Sequence, residues 1–202
     1  TISNYTNNVY LFPMDDFIIS MSSIASPEFK MTRLETINEI ISNDNNNIII
    51  TNLMGYLRFL PPSSTWKNKV INLKVGEEIN KEELFSLLCS TGYERETLVT
   101  KTGEISSRGY ILDVFPIGYE NAIRIEFFGD LIESIRYFNV DTQLSISNVK
   151  EVNIYPCSEF LTDSNMDVEP KVENLDKKSS IIEYLSKPIV VMKNYTQIYN
   201  SY

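Results

Sequence analysis

Gly103 to Phe138 reads GEISSRGYILDVFPIGYENAIRIEFFGDLIESIRYF, and this stretch decides the fold. Between Ala122 and Phe128, apolar Ile123, Ile125 and Phe127 alternate with Arg124, Glu126 and Phe128, the period of a strand buried on one face. Gly129-Asp130 follows at once, and Leu131 to Phe138 is again rich in β-branched and aromatic residues. The pattern predicts an antiparallel hairpin closed by a two-residue turn that glycine permits. Arg108 to Phe115 is expected to supply a third strand, ended by Pro116 and Gly118.

Working outward, Val70 to Val75 reads as a strand. Asn80-Lys81-Glu82-Glu83 has the spacing of a capping box ahead of the run LFSLLCS, with Gly92 placed to end that helix. After the hairpin come the segment Asp141 to Ser147 and a strand expected near Val149 to Tyr155. One helix against an antiparallel meander is an α+β arrangement. The beginning of the chain reads differently. Strand-like pieces at Val9 to Phe12 and Phe17 to Ser20 precede a helix capped by Ser26 with Pro27 in its first position, whose Met31, Leu34, Ile37, Ile40 and Ile41 share a face. A turn at Asn43 to Asn47 leads into the apolar run Ile48 to Thr51, expected to be a strand covered on both faces. A short helical segment around Leu53 to Leu60 ends at Pro61-Pro62, where PPSSTWKNK marks a boundary. Polar Leu161 to Lys178 reads as a linker, Ser179 to Leu185 as helical, and Pro188 to Met192 as a short strand that returns to the first region beside Ile48 to Thr51.

The expected fold class is therefore α/β plus α+β, a partial α/β domain into which a domain of one or two helices on an antiparallel sheet is inserted. The expected layout is 1–65, then 66–160 as the insertion, 161–178 as linker, and 179–202 returning to the first domain.

Composition narrows the chemistry. The 202 residues include 43% apolar side chains, enough for a sizeable core, and no stretch reaches the roughly 18 uninterrupted apolar residues of a membrane span. The N-terminal residues lack the order of a signal peptide, so the expected location is cytoplasmic and no membrane partner is expected. A net charge of -9 argues against a sequence-independent grip on nucleic acid and leaves room only for a local basic patch. There is no histidine, which removes the commonest general base and metal ligand. Cys89 and Cys157 stand far apart and read as small core side chains. The seven glycines are isolated, and none opens a phosphate-binding loop. No spacing of carboxylates singles out a catalytic pair, so no catalytic residue, cofactor or metal is assigned.

Several runs together carry a resemblance. Gly92-Tyr93-Glu94-Arg95, Gly103-Glu104 with Arg108-Gly109, Ile111 to Pro116 (ILDVFP) and Ile123 to Asp130 (IRIEFFGD) resemble, in order and spacing, the second domain of the UvrB family, from Val70 to Phe160. The continuation Ile132 to Phe138 (IESIRYF) and Asp141 to Ser145 (DTQLS) is similar to the transcription-repair coupling factor branch more than to UvrB itself. UvrB would carry a long tyrosine-rich segment where the short SPEFKMTRLETI stands. The two ends are similar to that branch's degenerate RecA-like, ATPase-like domain.

The resemblance implies a non-catalytic piece of an ATP-driven DNA translocase that removes stalled RNA polymerase and recruits UvrA for excision repair. ATP and Mg would belong to the full-length motor, and RNA polymerase and DNA would be bound by regions outside these residues. The inserted domain would dock UvrA and, in the resting factor, be covered by the factor's own C-terminal domain. The positions corresponding to the docking surface are Arg95, Arg108, Arg124 and Glu126. Ser106 stands where UvrB commonly has arginine, and Ile105 replaces an aromatic.

Read from the residues alone, these charges also fit a solvated cross-strand pair, Arg124 with Glu126 or Glu104, which contributes little. On either reading Arg108 and Arg124 leave the buried face, so truncating them is expected to cost only about 0.5 kcal/mol of stability. The equivalent region of UvrB, an unrelated interaction domain, and a nucleotide-binding enzyme are the alternatives; the last lacks the residues it needs. The chain is accordingly expected not to bind ATP. Titration with a fluorescent ATP analogue should give no saturable signal, and micromolar binding displaced by unlabelled ATP would reveal a nucleotide site.

Overall fold

The structure is a computed structural model that describes residues 8–14, 27–43, 47–161 and 179–193. Phe17 to Ser20, the Ser26 cap, the middle of the Asn43 to Asn47 turn and positions 162–178 of the expected linker lie outside the described residues. The fold is mixed α/β with antiparallel sheets and few helices. The chain divides into two compact units, Thr1–Ser63 with Lys177–Tyr202, and Ser64–Asp176.

In the first unit, β1 (Val9–Phe12) and β2 (Ile48–Thr51) pair in parallel, with α1 (Pro27–Ser42) as the intervening helix. Leu34, Ile37 and Ile40 of α1 are buried as their spacing requires. Two polar side chains of the same helix tie it to the strand that it covers. Thr36 Oγ1 donates to the Leu11 carbonyl at 2.5 Å, and Arg33 Nη1 to the Pro13 carbonyl at 2.9 Å. Asn52 caps α2 (Leu53–Tyr56), its Oδ1 accepting from the Gly55 N–H. Gly55 is required by close approach: a Cβ there would lie 2.6 Å from the Phe12 carbonyl oxygen.

Two expectations for this unit are corrected. Ile48 and Ile50 are exposed, so β2 is not covered on both faces among the described residues. Pro188 to Met192 forms no strand, and Ile189 is 91% exposed. The returning segment is instead held by backbone pairing of Ser179 with Leu60, by a 3-10 turn at Ile181–Tyr184, and by the Tyr184 hydroxyl donating to the Pro61 carbonyl at 2.6 Å. β-branched residues favour a strand only where a partner edge is reached, and Pro188 has no N–H to offer one.

The second unit begins within α3 (Ser63–Asn68), at Ser64. Strand β3 (Ile71–Lys74) leads to α4 (Lys81–Ser90), capped by Asn80, whose Oδ1 accepts from Glu82 and Glu83. Then follow β4 (Glu94–Arg95), β5 (Glu104–Arg108), β6 (Ile111–Val114), β7 (Ala122–Phe128), β8 (Leu131–Phe138), β9 (Ser145–Val149) and β10 (Glu151–Ile154). Strands β4 to β9 form a six-stranded sheet in sequence order, antiparallel except for β4 with β5, while β10 pairs with β3. The β7–β8 hairpin turns at Gly129-Asp130, where Gly129 has φ 62. The expected third strand is β6, which starts at Ile111 and not at Arg108: Gly109 (φ 59) and Tyr110 turn the chain out of β5, and Arg108 belongs to that earlier strand. The strand expected near Val149 to Tyr155 is β10, which pairs with β3 in the small sheet, whereas β9 before it closes the large one.

One face of the large sheet is apolar. Ile105, Leu112, Val114, Ile123, Ile125, Phe127 and Ile135 are buried, α4 packs on β5, and Leu84 and Leu88 are its buried residues. Cys157 is buried and Cys89 half-buried, and neither forms a disulfide. Because this core is drawn from within the second unit, residues 64–161 expressed alone are expected to fold. Circular dichroism with a cooperative urea transition checks this, and an unstructured product would show that the sheet needs the first unit.

Candidate functional site

The opposite face of the sheet is polar, and the strand register decides which residues share it. Arg108 lies opposite Ile111, Ile111 opposite Glu126, and Asp113 opposite both Ser106 and Arg124; Arg136 lies opposite Arg124, and Asn148 opposite Arg136. Directly opposed residues in antiparallel strands point to the same side. The face thus gathers Arg108, Asp113, Arg124, Glu126 and Arg136 from four strands.

Asp113 is its centre. The carboxylate side chain is only 1% exposed and accepts from both Arg124 Nε (2.7 Å) and Arg124 Nη2 (2.9 Å), a bidentate pair. Arg108 Nη2 reaches the same carboxylate at 2.8 Å. Hydrogen bonding to Asp113 raises the Arg124 pKa above the usual arginine value, against the opposing effect of burial and with help from the carboxylate charge. The Arg124 guanidinium also lies over the Phe138 ring, 4.3 Å from its centroid, and Phe138 packs with Val99 and Ala122 in a small cluster. Gln143 closes the remaining side, accepting from Arg124 Nη2 through Oε1 at 3.0 Å. Arg124 is therefore mostly enclosed, at 13% side-chain exposure, whereas Arg108 is 48% exposed.

Glu126 is engaged in a second pair. It accepts from Arg136 and from the Ser134 hydroxyl, the latter at 2.9 Å. The directly opposed cations Arg124 and Arg136 thus each have a carboxylate of their own, which offsets their repulsion. Arg108, Arg124 and Arg136 thus meet two carboxylates, Asp113 and Glu126, on a chain of net charge -9. At one end of the same strand, Phe128 is 76% exposed, and Tyr110 in the neighbouring turn is exposed as well. A third carboxylate, Glu104, on the same side of β5 as Ser106 and Arg108, shapes the adjoining loop. Burial pushes its pKa up, but hydrogen bonds from the Thr100 and Lys101 N–H groups and the Thr100 hydroxyl, with the charge of Lys101, outweigh that and leave it below the usual glutamate value.

Of the expected site residues, Arg108, Arg124 and Glu126 are brought together on this face. Arg95 is not. It lies beside Ile105, a residue of the apolar face, and its guanidinium sits over the Phe85 ring of α4 at 5.3 Å. Ser106, at the position where the resemblance expected arginine, is buried and donates to the Thr97 carbonyl at 2.9 Å. The alternative reading, a pair of Arg124 with Glu126 or Glu104, is not what forms: Arg124 pairs with Asp113, and Glu126 with Arg136. Asp113, Arg136, Phe128 and Gln143 were missed. Asp113 carried a readable signal, a single acid in the apolar run ILDVF, but its partner depended on register. Among the described residues there is no cluster of three or more potential metal ligands, and no helix is long and apolar enough to cross a membrane.

Residues 71–160 match the UvrB interaction domain family. The chain is 38% identical over 154 residues to the transcription-repair-coupling factor of Bacillus subtilis (strain 168), covering 76% of this chain and 13% of that protein. It is 36% identical over 155 residues to the factor of Staphylococcus haemolyticus (strain JCSC1435), covering 77% and 13%. The Staphylococcus aureus (strain MSSA476) factor is 37% identical over 153 residues, with 76% and 13% covered. The chain therefore spans about an eighth of the length of these relatives.

The geometry changes the expected energetics of the two arginines. Arg124→Ala would leave the buried Asp113 carboxylate without its bidentate partner and is expected to cost about 3 kcal/mol of stability. Arg108→Ala removes a half-exposed partner and is expected to cost less than about 1 kcal/mol. Urea unfolding of the two variants measures the contrast, and equal costs would show that Asp113 does not depend on Arg124.

Proposed function

Residues 71–160 belong to the UvrB interaction domain family and the chain is a homologue of transcription-repair-coupling factors, and on that premise we propose that it is a docking module that recruits UvrA. The observation that carries this reading is the polar sheet face, which presents both a guanidinium fixed on a buried carboxylate and, on β7, an exposed aromatic ring. Interfaces draw much of their binding energy from arginine and aromatic residues held in place before the partner arrives. Arg108 and Phe128 reach outward, Glu126 and Arg136 supply a second charged pair, and Arg124 with Asp113 forms the floor. Arg95 faces the helix side and is left out of the docking set.

On this reading the second unit is an inserted UvrA-binding domain, and the first unit is part of a degenerate RecA-like domain without catalytic function of its own. ATP and Mg would serve the motor of a full-length cytoplasmic translocase, with RNA polymerase and DNA bound by its other regions. The factor's C-terminal domain would cover the docking face at rest.

Calorimetric titration of the 202-residue chain with UvrA of the same organism tests the proposal. Saturable binding is expected, weakening as salt rises, because exposed charges are screened over about 10 Å at 0.1 M. Arg108→Ala and Phe128→Ala should each weaken it by roughly tenfold to thirtyfold, about 1.4 to 2 kcal/mol, with little change in stability. Arg95→Ala should bind like the parent. Failure of the parent to bind, or parent-like binding by both face variants, would remove this assignment.

A further inference from the structure

Gln143 is half-buried in the turn between β8 and β9 and has φ 60, a left-handed backbone rarely adopted by a non-glycine side chain. The turn has its own closure. Asn139 Oδ1 accepts from the N–H groups of Asp141 and Thr142, the Asn139 carbonyl accepts from the Gln143 N–H at 2.8 Å, and the Leu144 carbonyl accepts from the Asn139 N–H at 3.0 Å. Glycine at 143 would satisfy this backbone without conformational cost. A side chain retained at a costly φ is one that the surrounding structure uses.

The side chain is used at both ends. Nε2 donates to the Val140 carbonyl at 2.8 Å, with the Val99 carbonyl further off at 3.5 Å, and this anchors the amide. Its orientation then turns Oε1 to Arg124 Nη2 at 3.0 Å, and the Gln143 carbonyl lies 3.4 Å from Arg124 Nη1. Asp113 holds one edge of the guanidinium, Phe138 its face, and Gln143 the other edge. Arg124 Nη2 and Arg108 Nη2 share the same oxygen of Asp113, so the setting of Arg124 is passed to the outward guanidinium.

We propose that Gln143 is a positioning residue for partner binding, acting through Arg124 and Asp113 to fix the direction of the Arg108 guanidinium. This rests on the docking reading above and adds to it a specificity determinant that does not itself touch the partner. Pre-ordering the fork before encounter lowers the entropy lost on binding.

The test uses the 202-residue chain and UvrA of the same organism. Gln143→Gly keeps the left-handed backbone and removes the amide. Gln143→Asn tolerates the same φ but is one methylene short. Both are expected to keep or raise the unfolding temperature while weakening UvrA binding by about fivefold to tenfold, and to speed solvent exchange of the Arg124 Nε–H observed by nuclear magnetic resonance. In an Arg124→Lys background, which retains charge but not the fork, Gln143→Gly should have no further effect on binding.

If the parent does not bind UvrA, the docking reading fails and the proposal falls with it. If Phe128→Ala weakens binding and Gln143→Gly does not, the reading stands and the positioning role is wrong. Equal losses from Gln143→Gly in the parent and in the Arg124→Lys background would mean that Gln143 meets the partner directly. Loss of stability in step with affinity would reduce it to a structural residue.

Discussion

The Asp113 carboxylate, buried to 1% exposure between two strands, is the constraint on which the polar face depends. A charge removed from water is tolerated only when paired and hydrogen-bonded, and no single donor fills both carboxylate oxygens as Arg124 does. Once Arg124 is committed inward, its guanidinium must pack on something, and Phe138 supplies the ring. The remaining lone pairs of Asp113 draw Arg108 to the surface side. A need for internal charge balance thus leaves one arginine half in solvent and oriented.

The two sides of the sheet are held by different interactions. Alternation along β7 sends Ile123, Ile125 and Phe127 into the core and leaves Arg124, Glu126 and Phe128 on the other side. The apolar side is covered by α4 and contributes hydrophobic stabilisation; the polar side is tied by ion pairs that add geometric definition more than energy. Phe128 belongs to neither arrangement. It points from the polar side with most of its surface in water, and its burial would become available only when a partner covers it.

Length and charge set the wider frame. On a chain of net charge -9, Arg108, Arg124 and Arg136 are gathered on one sheet face against the two carboxylates that they meet there.

Much of the second unit was legible in the sequence because its signals are local. The β7–β8 hairpin follows from a period of two and a Gly129-Asp130 turn, α4 from the Asn80 cap and its leucines, and the opposition of Arg124 to Ile123 from alternation alone. What the sequence could not supply was register. Reading Arg108 to Phe115 as one strand hid the Gly109-Tyr110 turn, and with it the fact that Asp113 lies opposite Arg124. Arg95 looked equivalent to the other arginines until the parallel pairing of β4 with β5 turned it toward Phe85. The apolar run Pro188 to Met192 had the composition of a strand but found no edge among the described residues. Side-chain alternation is fixed by backbone geometry within a few residues, and so the sequence determined it. Which strand lies beside which, and which carboxylate meets which arginine, is set by contacts between residues far apart in the chain, and only the tertiary structure decided it.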